Sequence, residues 1–166
     1  MIDVESEEGR GTTFLIYFPA VTHHSMTDQP PQDQQSKGKG ESILIIEDET
    51  LLRELLKEFL LAAGYKVLEA RDGEEGVKVY RDHASEIELV LSDIGLPKLG
   101  GEQVLEAIRA SNPNAKVIFC TGFLEEETKE RLVQGGVLDI LNKPYKVPEV
   151  LGAVRKAIGS DPPQLL

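Results

Sequence analysis

Basic residues are scarce in this chain. Lys and Arg total 18 against 29 Asp and Glu, a formal charge of −11. Nucleic-acid affinity comes from basic side chains on phosphates, so no nucleic-acid partner is expected. An anionic membrane surface is an equally poor match. Cysteine occurs once, which excludes an internal disulfide and a four-cysteine zinc site. The apolar runs are a handful of residues long, far below the roughly twenty that span a bilayer. Met1-Ile2-Asp3-Val4-Glu5 has no basic region followed by an apolar stretch, so it does not read as a secretory signal. What is present is 166 residues, 40% of them hydrophobic, enough for one domain of ordinary size with appendages. The expectation is an acidic, soluble, cytoplasmic protein without membrane contact.

The chain divides into a short piece, residues 1–21, a linker, residues 22–40, a main body, residues 41–160, and a tail, residues 161–166. The linker contains no Val, Ile, Leu, Phe or Tyr and cannot bury enough apolar surface to offset its chain entropy, so it reads as flexible.

The body alternates strand and helix signals. Ile43–Ile46 is a continuous apolar run that ends in acids. Leu51, Leu52, Leu55, Leu56, Phe59 and Leu60 then recur at helical spacing up to Gly64. Tyr65–Ala70 reads as a second strand, and Asp72 with Glu75 three positions on marks a helix start. Leu89–Leu91 is a third strand. Val104, Leu105 and Ile108 mark a helix that stops at Ser111-Asn112-Pro113-Asn114. Val117–Cys120 is a fourth strand, followed by a helix with acids at 125–127 in its first turn. After Gly135-Gly136, Val137–Leu141 is a fifth strand, and Pro148 opens a last helix.

Five such units argue an α/β fold, with a parallel sheet between two helical layers. The first, third and fourth strands are apolar throughout, as central strands are. The second carries Lys66 and Glu69 and the fifth Asp139, so both read as edges. The strand order 2-1-3-4-5 of a flavodoxin-like (βα)5 three-layer sandwich fits, with the site at the carboxyl ends of the strands.

Those ends carry Glu47-Asp48-Glu49, Ser92-Asp93, Thr121-Gly122 and Asn142-Lys143-Pro144. Two charges about 4 Å apart repel by roughly 4 kcal/mol at an effective dielectric near 20, so clustered carboxylates need a cation. Lys143 is one candidate, and a hard divalent ion, Mg²⁺ or Mn²⁺, suits the oxygen-only donors. Such a site suits phosphoryl transfer to Asp93. The metal, the Lys143 ammonium and the Thr121 hydroxyl would each stabilise an oxygen of the transferring group.

In Ile43–Glu49, Leu91–Pro97 with Gly100-Gly101, Phe119–Gly122 and Asn142–Tyr145, the body resembles a two-component response-regulator receiver domain. The resemblance implies that Asp93 is the phospho-acceptor and that Asp48 and Asp93 ligate Mg²⁺. Glu47 would act mainly through water, and the backbone carbonyl of Gly95 would complete the set. Thr121 and Lys143 would hold phosphoryl oxygens, and the Lys143–Pro144 peptide would be cis. Val4–Ala20, with Gly9, Gly11, Thr12, Thr13 and Phe14, resembles the last two strands of a histidine-kinase ATP-binding domain. The chain then resembles the C-terminal fragment of a hybrid sensor histidine kinase, whose membrane anchor, if any, lies elsewhere. The donor would be a phosphohistidine, on the parent kinase core or on a histidine phosphotransfer protein. Such a chain catalyses its own phosphorylation without being an autonomous enzyme. A homodimer is left open.

One position departs from the family pattern, and two variable positions bear on phosphate lifetime. Position 140, commonly aromatic in receivers, is Ile140, which implies a muted version of the switch that pairs it with Thr121. The two positions that tune phosphate lifetime are Gly95 and Phe123, neither able to position an attacking water, so slow self-dephosphorylation is expected. Two rivals are weaker. A haloacid-dehalogenase phosphatase needs an Asp where Gly95 stands. A docking pseudo-receiver would normally have lost Asp93 or Lys143. Cys120 reads as an inert strand residue, His23 and His24 as linker residues that are at most a weak adventitious metal site, and His83 as a helix-end surface residue.

Overall fold

A computed structural model of the chain describes residues 2–7, 9–17 and 38–161. They fall into two units. The first is a hairpin of β1 (Ile2–Glu7) and β2 (Gly11–Ile16), antiparallel, with Ile2 opposite Ile16 and Glu7 opposite Gly11. Gly9 turns the chain at φ 81, in the left-handed region that favours glycine, and Arg10 N bonds to Glu7 O at 3.0 Å.

The second unit is a five-stranded parallel sheet of β3 (Ser42–Ile46), β4 (Lys66–Ala70), β5 (Ile87–Asp93), β6 (Val117–Thr121) and β7 (Asp139–Asn142). Five helices alternate with the strands: α1 (Thr50–Ala62), α2 (Gly73–Asp82), α3 (Gly101–Ser111), α4 (Glu126–Gln134) and α5 (Val147–Gly159). The order β4-β3-β5-β6-β7 is the flavodoxin-like order expected from the strand compositions, with β4, which carries Lys66 and Glu69, and β7, which carries Asp139, at the edges. Alternate residues of β3 feed two cores. Leu44 and Ile46 pack with Tyr80, Val104, Ile108 and Leu132 from α2, α3 and α4. Ile43 and Ile45 pack with Leu56, Leu60, Val150 and Val154 from α1 and α5. All five residues of β3 are buried, so this strand and its carboxyl end are held rigidly from both faces.

Several boundaries differ from the sequence expectation for local reasons. Gly38–Gly40, placed in the linker by composition, are tied to the α1–β4 turn. Gly38 N donates to Ala63 O at 2.7 Å and Gly40 N to Gly64 O at 3.1 Å. Those bonds use only main-chain groups, which composition does not register. The remainder of the expected linker, residues 22–37, and most of the tail lie outside the described residues. Strand β7 starts at Asp139 and not at Val137. Gly136 at φ 84 lets Val137 N turn back to Leu132 O at 3.1 Å, so Val137 closes α4. Strand β5 extends to Asp93, because its polar end residues Ser92 and Asp93 still pair with Phe119 and Cys120 of β6.

Candidate functional site

The chain order places β3 and β5 side by side at the point where the sheet reverses its winding, and the residues just past their carboxyl ends face one another. Glu47 follows β3, its amide still held by Ala70 O at 3.1 Å, and its residue is only 2% exposed. Asp93 is the last residue of β5 and Thr121 the last of β6. Lys143 follows β7, and the Lys143–Pro144 peptide is cis.

Lys143 Nζ lies 2.7 Å from Glu47 Oε2 and 2.6 Å from Asp93 Oδ2, so one ammonium bridges two strand ends. The other Asp93 oxygen, Oδ1, accepts from Gly95 N at 3.0 Å. Glu47, Asp48 and Asp93 each offer a carboxylate oxygen within 4.8 Å of the other two. The donors are all oxygens, and hard divalent cations prefer oxygen. Burial pushes the Glu47 carboxyl above the usual carboxylate range, and the Asp93 charge adds to this while Lys143 opposes it. Burial works against the Lys143 charge, but its bonds to Asp93 and Glu47 outweigh that and hold its pKa above the ordinary lysine value. Three carboxylates thus surround one fixed ammonium, and their oxygens could hold a hard cation beside it.

Thr121 is buried, and its hydroxyl donates to Phe123 O at 2.8 Å, so in this state its proton serves its own loop. Phe123 projects outward, 82% exposed. Ile140 stands opposite Phe119 in the sheet and is buried in the core on the α4 side. Cys120 is buried beneath the site, and burial pushes its thiol up to about 12, which keeps it protonated and unreactive.

Some contacts of the site carry no local signal in the sequence. Lys98, in the loop after Asp93, pairs with Asp72 at 2.6 Å. Gly101 opens α3 so close to that loop that a Cβ would stand 2.7 Å from Asp93 O. Arg53 of α1 turns back onto the acidic loop and donates to Glu47 O at 2.7 Å. In sequence Arg53 is only part of the polar face of an amphipathic helix, and its target becomes visible once β3 and α1 are folded on each other.

Residues 43–155 match the response regulator receiver domain family. The chain is 27% identical over 162 residues to the sensor kinase CckA of Brucella abortus. That alignment covers 93% of this chain but only 17% of the kinase. It is 31% identical over 118 residues to the chemotaxis protein CheY of Thermotoga maritima, covering 70% of this chain and 97% of CheY. Among solved structures it resembles the receiver domain of sensor histidine kinase PA1611 from Pseudomonas aeruginosa. The identity there is 28% and the TM-score 0.65, over 73% of this chain and 99% of that one. That structure holds a magnesium ion coordinated in its active site cleft.

Proposed function

Because the chain belongs to the response regulator receiver domain family of two-component signalling, we propose that Asp93 takes a phosphoryl group from a phosphohistidine donor. The bridge from Lys143 to both Glu47 and Asp93 carries this reading, since it places a permanent cation beside the candidate nucleophile. A carboxylate is a weak nucleophile, so the site must align it and neutralise the incoming dianion. An Asp93 oxygen attacks phosphorus, the phosphorus–nitrogen bond breaks, and the imidazole leaves with a proton. Gly95 N holds Oδ1 and Lys143 holds Oδ2, which orients the carboxylate at the strand end. Lys143, protonated throughout, passes to a phosphoryl oxygen. The Thr121 hydroxyl, released from Phe123 O, donates to another.

The three carboxylates fit Mg²⁺, with Mn²⁺ as a substitute. Glu47, Asp48, Asp93 and the Gly95 carbonyl would hold it, and it supplies charge neutralisation for the transferring group. Gly95 offers no side chain and Phe123 only an exposed ring, so neither positions a water and the phosphoryl group is long-lived.

The parent protein on this reading is a hybrid sensor histidine kinase. The alignment to the sensor kinase over nearly the whole chain supports it, as does the antiparallel hairpin at residues 2–16. Residues 1–21 are then the closing strands of the kinase ATP-binding domain, joined by a linker to the receiver, residues 41–160. The donor is that kinase core or a histidine phosphotransfer protein, and the setting is cytoplasmic. No helix among the described residues is long and apolar enough to cross a membrane. The domain catalyses its own phosphorylation and is not a free-standing enzyme. The docking pseudo-receiver is disfavoured by the intact Asp93–Lys143 pair.

Intact mass after incubation with Mg²⁺ and acetyl phosphate tests the reading, beside Asp93→Asn. One phosphoryl group is expected on the wild type only. No gain from acetyl phosphate or from a phosphohistidine protein would overturn it.

A further inference from the structure

We propose that Arg53 is a positioning residue that fixes the main chain of the acidic loop so that Glu47 and Asp48 face the metal. This rests on the Mg²⁺ reading above. The β3 ladder has ended where these acids stand, and the direction in which each carboxylate leaves depends on the peptide planes at 47 and 48. Arg53 Nη1 lies 2.7 Å from Glu47 O and 3.4 Å from Asp48 O. One guanidinium nitrogen thus spans the carbonyls of both acids.

The guanidinium is itself fixed. Its side chain is only 15% exposed, and Nε lies 3.8 Å from Glu69 Oε1 on β4. Lys57 shares the same carboxylate. Arg53 N bonds to Glu49 O at 2.9 Å, so the residue also belongs to the first turn of α1. Acidic loop, helix start and edge strand therefore meet at one planar cation. The division of labour with Lys143 is clear from the acceptors. Lys143 takes carboxylate oxygens, whereas Arg53 reaches the main-chain oxygens of these acids. A rigid fork suits that task better than a flexible ammonium. Groups that orient metal ligands from behind typically govern affinity by tenfold or more.

Mg²⁺ titration calorimetry on the full chain tests this with the wild type, Arg53→Met and Arg53→Lys, beside thermal unfolding in EDTA. Arg53→Met should weaken Mg²⁺ binding by about tenfold, with Arg53→Lys in between because it offers a donor to the same carbonyls. Phosphorylation by acetyl phosphate should recover in Arg53→Met as Mg²⁺ is raised, and unfolding in EDTA should show the variant fully folded at the assay temperature, which separates weakened binding from lost stability. If Arg53 acted only as a nearby charge, Arg53→Met would bind Mg²⁺ as tightly as the wild type or more tightly, and the proposal falls. If Arg53→Met does not fold, Arg53→Lys decides, and an affinity equal to the wild type overturns the proposal. A wild type that binds no Mg²⁺ would instead overturn the metal reading itself, and this inference with it.

Discussion

Lys98 Nζ lies 2.6 Å from Asp72 Oδ2, which clasps the loop carrying Asp93 to the residue that caps α2. The other Asp72 oxygen accepts from Glu75 N at 2.9 Å, so one buried carboxylate serves two elements. Lys98 adopts a φ of 64, uncommon outside glycine, and this bend carries the loop past α2.

The clasp gives a pH dependence of known sign. The hydrogen bond from Lys98 and that from Glu75 N hold the Asp72 carboxyl below its ordinary range. A depressed carboxyl contributes stability that is fully present above its unfolded pKa and is lost as pH falls through its folded value. Asp72→Asn keeps a capping oxygen and removes the charge. Urea midpoints should be lower for the variant at neutral pH and converge with the wild type as pH drops below the ordinary aspartate range. Curves that stay parallel into acid would count against the clasp.

Gly101 should not accept a side chain. A Cβ there would meet Asp93 O at 2.7 Å and Ile94 Cα at 2.8 Å, both main-chain atoms. Gly101→Ala must push the Asp93–Ile94 main chain away, at a cost of about 1–3 kcal/mol by analogy with overpacked cores. Urea unfolding reads the stability. Acetyl phosphate labelling should slow as well, since Asp93 belongs to the displaced segment.

Lys143→Met should separate metal binding from phosphorylation. Removing the ammonium leaves the Glu47 and Asp93 carboxylates facing each other without their shared cation. Mg²⁺ should then bind more tightly, by about tenfold if roughly 1.4 kcal/mol of repulsion is relieved by the ion. Phosphorylation should nonetheless fail for lack of a donor to the phosphoryl oxygen. Calorimetry and intact mass read the two effects, and weaker Mg²⁺ binding in the variant would contradict the electrostatic account.

The response to phosphate at the α4 side should be small. Ile140 is buried, and α4 is tied to α3 twice: Arg131 pairs with Glu102 at 2.7 Å, and Arg109 donates to Gly136 O at 2.7 Å and to Gly135 O. An aliphatic side chain offers no polar tip to exchange between core and surface. NMR shifts induced by a phosphate mimic should centre on Asp93, Thr121 and Lys143. Large shifts around Ile140 and along α4 would show that these ties release.

Much of the molecule was legible in the sequence because its signals are local. Apolar runs of uniform character marked β3, β5 and β6 as central strands, and charges within β4 and β7 marked them as edges. Gly64, Gly135 and Gly136 punctuated the helices. The strand ends then pointed to Glu47, Asp48, Asp93, Thr121 and Lys143, because a parallel α/β sheet gathers such ends on one side. What the sequence by itself determined was therefore the alternation of elements, their order, and the chemical kinds of group delivered to one edge. Only the tertiary structure decided how those groups meet. It showed Lys143 between two acids, the Thr121 hydroxyl turned to Phe123 O, Lys98 reaching Asp72, and Arg53 folding back onto the acidic loop. These contacts join residues through main-chain carbonyls, loop bends and close glycine packing. Such features depend on where whole elements stop and turn, and they leave no periodicity in the chain for sequence reasoning to find.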